Sequence, residues 1–322
     1  MGSPGSDDVL RQAAETALHA PSIFNTQPWR WELGDRTLTL WADRSRQLAT
    51  TDPEGRMLTV SCGVALHHAT LALAANGRRA TIERLPDEAN PDLLARITVT
   101  DSAASAEHDV RLRDAILARR TERRPFSDAP VPDGFIDQLR GSVEKHGVYL
   151  AELDADSLVR FQVTAARAGE LDRDDPAYRA ELTEWTHRPA GSGDGVPAST
   201  VVPDGPRTIP LRSFFPEGGE ALLPGPGHDG GARYLVLWTR DDEPDNWLAA
   251  GEAMSIALLE TTAAGLAASP MTDVVEVPAS RALLHRLLDN LGQAQVALRV
   301  GVPATTDLAP EAPRRDPADT IR

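Results

Sequence analysis

Two short stretches carry the residue types that could do chemistry. The first is Ala20-Pro21-Ser22-Ile23-Phe24-Asn25-Thr26-Gln27-Pro28-Trp29. Pro21 and Pro28 break any helix, and between them Ser22, Asn25 and Gln27 offer a hydroxyl and two amides to something polar. The plain alternative is a helix-to-strand connector whose tryptophans, Trp29 and Trp31, lie in the core. The second is Arg119-Arg120-Thr121-Glu122-Arg123-Arg124, four guanidiniums in six residues. Such a run can be a solvated helix end. In an acidic chain, mutual repulsion at this spacing also favours an anionic partner.

Other chemistries lack their residues. Gly191-Ser192-Gly193-Asp194-Gly195 and Gly225-Pro226-Gly227 have no strand before and helix after them, so neither reads as a dinucleotide fingerprint, and no Walker A or G-x-S-x-G word occurs. The eight histidines show no metal-ligand spacing, and the adjacent His67 and His68 point to different helix faces. No metal site and no protein nucleophile or acid–base pair is expected. His187, beside Trp185, reads as a surface residue with a weaker claim on a site. Cys62 opens an apolar helix without a nearby base and reads as a buried small side chain.

The 322 residues carry a net charge of −15, 48 acidic against 33 basic. That balance repels phosphate backbones and anionic lipid, so neither nucleic acid nor membrane is an expected partner. A single cysteine fits a reducing compartment, and no run of about 18 apolar residues or secretory signal is read, so a cytoplasmic location is expected. Met1–Ser6 is too polar to be structural.

The elements that must position these stretches follow from periodicity. An amphipathic helix over 8–19, capped near Asp7 or Asp8, precedes the first stretch. A hairpin over 29–33 and 37–41 turns at Gly34-Asp35. A polar connector leads to an almost wholly apolar helix, Gly63 to Gly77, which belongs at a centre. Strands are expected over 81–85 and 95–100. Helices are expected over 110–120, 135–146, 157–171 and 176–185, with a strand over 149–153. Residues 186–231 are rich in Gly and Pro and too long for an ordinary connector; Trp185, Phe214 and Phe215 suggest a lid that docks. A buried strand, 232–239, a second central helix, Gly251 to Gly265, an extended 274–277, a helix over 279–288 and a last strand, 295–300, complete the pattern.

The two central helices share six of fifteen letters at constant offset, from Gly63/Gly251 to Gly77/Gly265, and an L-W strand end precedes each, Leu40-Trp41 and Leu237-Trp238. Alanine-rich composition can produce such a match, and so can duplication of a fold around a pseudo-twofold.

The words A-P-S-x-x-N-x-Q-P-W resemble the flavin-contacting loop of the FMN-dependent nitroreductase family, in particular its Acg branch. Arg119-Arg120-Thr121-Glu122-Arg123 resembles that family's R-R-S-x-R phosphate signature. Ala268-Ser269-Pro270-Met271-Thr272-Asp273 is similar to the turn whose backbone approaches flavin N5, and Arg314-Arg315 to a C-terminal basic pair. The resemblance implies an α+β nitroreductase-like fold, with two degenerate halves, 1–109 and 110–322, fused as a pseudo-dimer and a lid-like insertion at about 186–231. It implies FMN held by Pro21, Ser22, Asn25, Gln27, Arg119, Arg120, Thr121, Arg123, Met271, Thr272, Asp273, Arg314 and Arg315. It further implies electron transfer from NAD(P)H to a small electrophilic acceptor, in a monomeric pseudo-dimer or a homodimer. The alternative from the same branch is a protein that sequesters FMN beneath its lid.

Overall fold

The computed structural model describes residues 6–189, 191–203, 207, 209–214 and 221–322, and the side chains from residue 8 onward. The expectations for Met1–Gly5, the Asp7 cap and Phe215 lie outside the described residues. The first half of the chain runs α1 (Ser6–Ala17), β1 (Trp29–Gly34), β2 (Thr37–Ala42), α2 (Arg56–Ala75), β3 (Arg78–Arg84), β4 (Leu93–Ser102) and α3 (Glu107–Ala118). There follow α4 (Phe135–Val143), β5 (Tyr149–Glu152), α5 (Ala155–Asp174), α6 (Pro176–Thr186) and β6 (Arg233–Thr239). The chain closes with α7 (Pro244–Ala263), β7 (Ala267–Met271), α8 (Asp273–Glu276), α9 (Pro278–Leu287), β8 (Gln293–Gly301) and α10 (Pro317–Thr320). This is an α+β architecture.

The strands form two antiparallel sheets of four with the same winding, β1-β2-β4-β3 and β5-β6-β8-β7. Each breaks register at its L-W pair, between Leu40 and Trp41 and between Leu237 and Trp238. A bulge bends a strand and sharpens its twist, so the repeated dipeptide marks the same bend twice. The two sheets flank α2 and α7, which pack against each other at the centre. A helix buried on all faces needs apolar or small residues all round, and these two have them. By length and composition α2 could cross a membrane, against the expectation from the sequence; it is buried in protein instead.

Both central helices start earlier than their apolar runs. The Asp52 carboxylate accepts the N–H groups of Met57 and Leu58 at 2.9 and 2.8 Å, which fixes the first turn of α2 over polar letters that read as connector. Glu243 and Asn246 form a reciprocal capping box at the start of α7, with Pro244 in the first turn. Two local expectations are corrected. Residues 274–277 are not extended: the Thr272 carbonyl accepts N–H bonds from Val275 and Glu276, and Asp273–Glu276 is helical. Ala267–Met271 is not a turn but an edge strand, where Pro270 is tolerated because no other strand pairs along its outer side.

The tail beyond Pro303 is anchored rather than free. It returns to the first sheet, where Arg322 donates its N–H to Trp31 and accepts one from Leu33, both along β1.

Candidate functional site

The proline-bounded loop leaves α1 and takes a short 3₁₀ turn at Ile23–Asn25. Phe24, Asn25 and Gln27 have φ of 46°, 54° and 51°. Left-handed backbone is disfavoured for residues with a Cβ, most of all a bulky one, and such strain collects at functional sites. Hydrogen bonds hold it: Ile23 N–H donates to Ser61 Oγ on α2 at 3.1 Å, and Gln27 N–H to Ser22 Oγ at 2.8 Å.

The arginine segment begins where α3 ends. Thr121 bridges to Ala268 of β7, and Glu122 N–H donates to the Ala268 carbonyl at 3.0 Å. The segment is thereby fixed to the edge of the second sheet, opposite the loop from the first half. Arg119 is buried, and among the described residues its guanidinium makes one hydrogen bond, a 3.5 Å contact to Thr121 Oγ1. Its Nε has no partner, and no carboxylate stands within ion-pair reach among the described residues. Burial, then Arg314, Arg120 and Arg123, pushes its pKa down to about 9. Arg314 comes from the tail and also has an unpartnered Nε; burial holds it at about 10. Arg123 donates to the Thr200 carbonyl at 2.9 Å and lies 5.0 Å from the Phe214 ring centre. Arg120 reaches Glu311 at 3.4 Å. Arg124 is committed to Glu122, with which it is buried, and to the Asp307 carbonyl.

Between loop and arginines lies a cavity of two lobes that share Pro21, Ser22, Thr121 and Arg123. The basic lobe, about 670 Å³ including its mouth, is lined by Arg119, Arg120 and Arg314 together with Asn25 and His19. The other, about 780 Å³, is floored by Met57 and Val60 of α2, Met254 of α7 and Met271 at the end of β7. Thr272 and Asp273 stand at its edge. Asp273 is 3% exposed, and burial raises its carboxyl to about 6.

The segment 209–214 covers this apolar lobe. Phe214 meets Phe24 edge-on with ring centres 6.2 Å apart. Arg212 binds Glu276 at 2.5 Å, also donates to the Tyr178 hydroxyl, and lies 4.8 Å from the Phe24 ring centre. Phe214, expected in a lid-like insertion, is buried against Phe24.

Eleven of the residues expected at a site therefore line one cavity: Pro21, Ser22, Asn25, Arg119, Arg120, Thr121, Arg123, Met271, Thr272, Asp273 and Arg314. Asn25 lines it with its side chain already engaged, donating to the Gly195 and Pro313 carbonyls and accepting from Arg314, all at 3.0 Å. Gln27 and Arg315 line neither lobe. The Gln27 amide donates to the Gly193 carbonyl at 2.8 Å and accepts the Arg315 N–H at 2.9 Å, so this pair fastens the tail and the stretch around Gly193 to the loop. His187 is outside the cavity and bonds within α6. Cys62 is buried, its thiol donating to the Pro28 carbonyl at 3.3 Å.

Sequence reasoning missed Met57, Ser61 and Met254, ordinary letters of core helices, and Arg212, which sits in a Pro-rich stretch. The repeat pointed to α2 and α7 as a packed centre, not as the floor of a site.

Comparison with known proteins adds relatives along nearly the whole chain. It is 40% identical over 320 residues to Rv3131 of Mycobacterium tuberculosis (strain H37Rv), provisionally named an NAD(P)H nitroreductase, covering 98% of this chain and 91% of the relative. It is 35% identical over 316 residues to the acg protein of the same strain, which has the same provisional name, with 98% and 95% covered. Rv3127, named as uncharacterised, is 33% identical over 324 residues, with 97% and 92% covered. No family model matches. Among solved structures, the chain is similar to a nitroreductase with bound FMN from Bacteroides fragilis at TM-score 0.40 and 13% identity, covering 63% of this chain and 94% of that one. A protein from Anabaena variabilis, provisionally named a nitroreductase, gives TM-score 0.43 and 10% identity over 94% and 90%.

Proposed function

The chain belongs to the nitroreductase family, in its Acg-like branch, and we propose that it binds one FMN in the two-lobed cavity and passes electrons from NAD(P)H to a small electrophilic acceptor. One observation carries the reading: Arg119 is buried, Arg123 and Arg314 are half-buried, and none of the three has a carboxylate in ion-pair reach among the described residues, beside a cavity that continues into an apolar, methionine-floored lobe. Buried guanidiniums left unpaired are destabilising unless an anion arrives. The orphaned Nε atoms of Arg119 and Arg314 are donors waiting for acceptor oxygens. A phosphate joined to a flat apolar body fits both lobes, and their volumes fall in the range of cofactor sites.

In this reading Arg119, Arg123, Arg314 and the Thr121 hydroxyl hold the phosphate, each charge-assisted bond contributing about 1.5–3 kcal/mol. Met57, Val60, Met254 and Met271 would pack against the ring, and the backbone at Met271–Asp273 would offer it hydrogen-bonding groups. The bound flavin supplies the hydride chemistry. Arg212 and Phe214 exclude water from above.

Residues 1–109 and 110–322 are proposed as fused copies of one ancestral unit, which lets one chain supply both the loop and the arginines. The identical winding of the two sheets supports this. A single site per chain is supported by the second connector. Where α1 reaches β1 through residues 18–28, α4, which packs on α7 and precedes β5, reaches it through 144–148 alone. There is no room there for a second proline-bounded loop.

The test is the absorbance spectrum of pure protein under anaerobic conditions. Stoichiometric flavin bleached by NADH or NADPH supports the reading. A yellow protein that neither nicotinamide bleaches overturns the enzyme. It would favour the second reading, FMN sequestration, for which the observation is the Arg212–Glu276 pair that ties the cover down. Arg212→Ala should then make the flavin reducible or let it leak.

A further inference from the structure

Asp273 lines two cavities at once. It is the one carboxyl on the apolar lobe among the described residues. It also closes the inner end of a separate cleft of about 550 Å³ between α5 and residues 210–213, which Asp172, Tyr178 and Arg212 line as well. The cleft starts at exposed residues of α5, Ala166 and Arg173 among them. The cleft thus leads from exposed residues of α5, past Asp172 and Tyr178, to Asp273 at the edge of the apolar lobe.

The charges around Asp273 leave it free for proton work. Arg212 faces it from the covering segment, Glu276 from α8, Asp172 from α5 and Tyr178 from α6. Glu276 already neutralises Arg212 through one oxygen at 2.5 Å, so Asp273 is not required as its counter-ion. The other oxygen of Glu276 is buried with no hydrogen-bond partner. Burial raises Asp273 to about 6 and Asp172 to about 7, so both can gain and lose a proton within about a unit of neutral pH.

Resting on the flavin reading above, we propose that Asp273 is the proton donor to the acceptor and that the α5 cleft is the path by which it is reloaded. Reduction of a quinone balances as follows. The quinone takes a hydride, two electrons with one hydrogen, from the reduced flavin and becomes a hydroquinone monoanion. The Asp273 O–H bond breaks as a new O–H bond forms on that oxyanion, so neutral hydroquinone leaves and Asp273 remains a carboxylate. It then takes one proton from water by way of Tyr178 and Asp172. A nitroarene places the same demand on the same group, since its oxygen must leave as water. Binding such an acceptor needs no further charge on the lobe.

The test compares wild type with Asp273→Asn and Asp273→Glu. FMN-loaded protein, reduced with dithionite, is mixed anaerobically with benzoquinone, which needs a proton, or with ferricyanide, which takes only an electron. The ratio of quinone to ferricyanide rates should fall about 10²- to 10⁴-fold in Asp273→Asn, the usual size of a general-acid effect, and largely recover in Asp273→Glu. A readout independent of turnover is infrared difference titration: Asp52, Asp172 and Asp273 are all raised by burial, so wild type should lose protonated-carboxyl intensity between about pH 6 and 7, and the wild-type minus Asp273→Asn difference should isolate one carboxyl that titrates near pH 6. An unchanged rate ratio, no reaction of wild type with quinone, or a carboxyl titration identical in wild type and Asp273→Asn overturns the inference while FMN binding stands. A protein that retains no FMN overturns the cofactor reading and this inference with it.

Discussion

Gly63 and Gly251 meet where α2 crosses α7. A Cβ on Gly63 would fall 2.2 Å from the Leu248 carbonyl oxygen and 2.9 Å from Gly251 Cα; one on Gly251 would fall 2.0 Å from the Val60 oxygen and 2.8 Å from Gly63 Cα. Gly251 and Leu248 follow Gly63 and Val60 by the same 188 residues, and the contact is reciprocal, as at a twofold axis. One further pair obeys the spacing: His67 meets Ser255 at 2.8 Å.

No side chain fits at that crossing, because the atoms in the way are backbone. Gly63→Ala or Gly251→Ala should therefore destabilise the protein by about 3 kcal/mol, at the upper end of overpacking effects. Urea unfolding measures it. Near-neutral alanine variants would mean the helices are farther apart than stated.

Arg119→Met should separate binding from stability. Removing a buried, unpaired guanidinium relieves desolvation, so the FMN-free protein should melt at the same temperature or higher. FMN affinity should fall about 10- to 100-fold, from one charge-assisted bond lost. With Arg123→Ala added, retention through gel filtration should be abolished. Equal flavin content in the double variant would remove the phosphate assignment.

Much of this site was legible because its residues carry their chemistry in their letters. Prolines around Ser22 and Asn25, and arginines in an acidic chain, announce a turn and an anion wherever they fold. Met57 and Met254 announce nothing, since a methionine on an apolar helix reads as core until the facing helix is in place. Gln27 shows the opposite limit: its amide suits a ligand as well as a carbonyl, and only the return of the tail decides for Arg315 and Gly193. Residues 274–277 read as a strand on β-propensity, and tertiary context at the end of β7 overrode it.

His68 makes the acid side of the stability curve testable. It is fully buried on α2, with neither ring nitrogen hydrogen-bonded. Burial, then His67 and the arginines Arg119 and Arg314, depress its pKa well below 6.5; burial takes His67 to about 3. In the unfolded chain both titrate near 6.5, so below that pH the unfolded state gains protons first. Their stabilisation is complete above 6.5 and is lost as pH falls from there towards 3. His68→Leu should flatten this decline by about 1.4 kcal/mol per pH unit, one proton's worth. Denaturant midpoints at pH 7.5, 5.5 and 4.5 give the slopes, and parallel curves would refute the assignment.

Gln27→Ala tests the fastener between the two halves and the tail. The substitution leaves the Arg315 N–H and the Gly193 carbonyl without their partner, at about 1–3 kcal/mol if both stay buried. The Arg315 side chain would still hold the Gln27 carbonyl at 3.0 Å, so the tail should loosen rather than detach. Hydrogen exchange should therefore quicken over 312–322, including the Arg322 N–H paired with Trp31, while α2 and α7 keep wild-type protection. Arg314 lies in the same strap and lines the basic lobe, so FMN affinity should also fall, by less than in Arg119→Met because its guanidinium keeps its own bonds to Asn25 and His19. Wild-type exchange in the tail together with wild-type FMN affinity would show that the arm is held by its strand pairing with β1 alone.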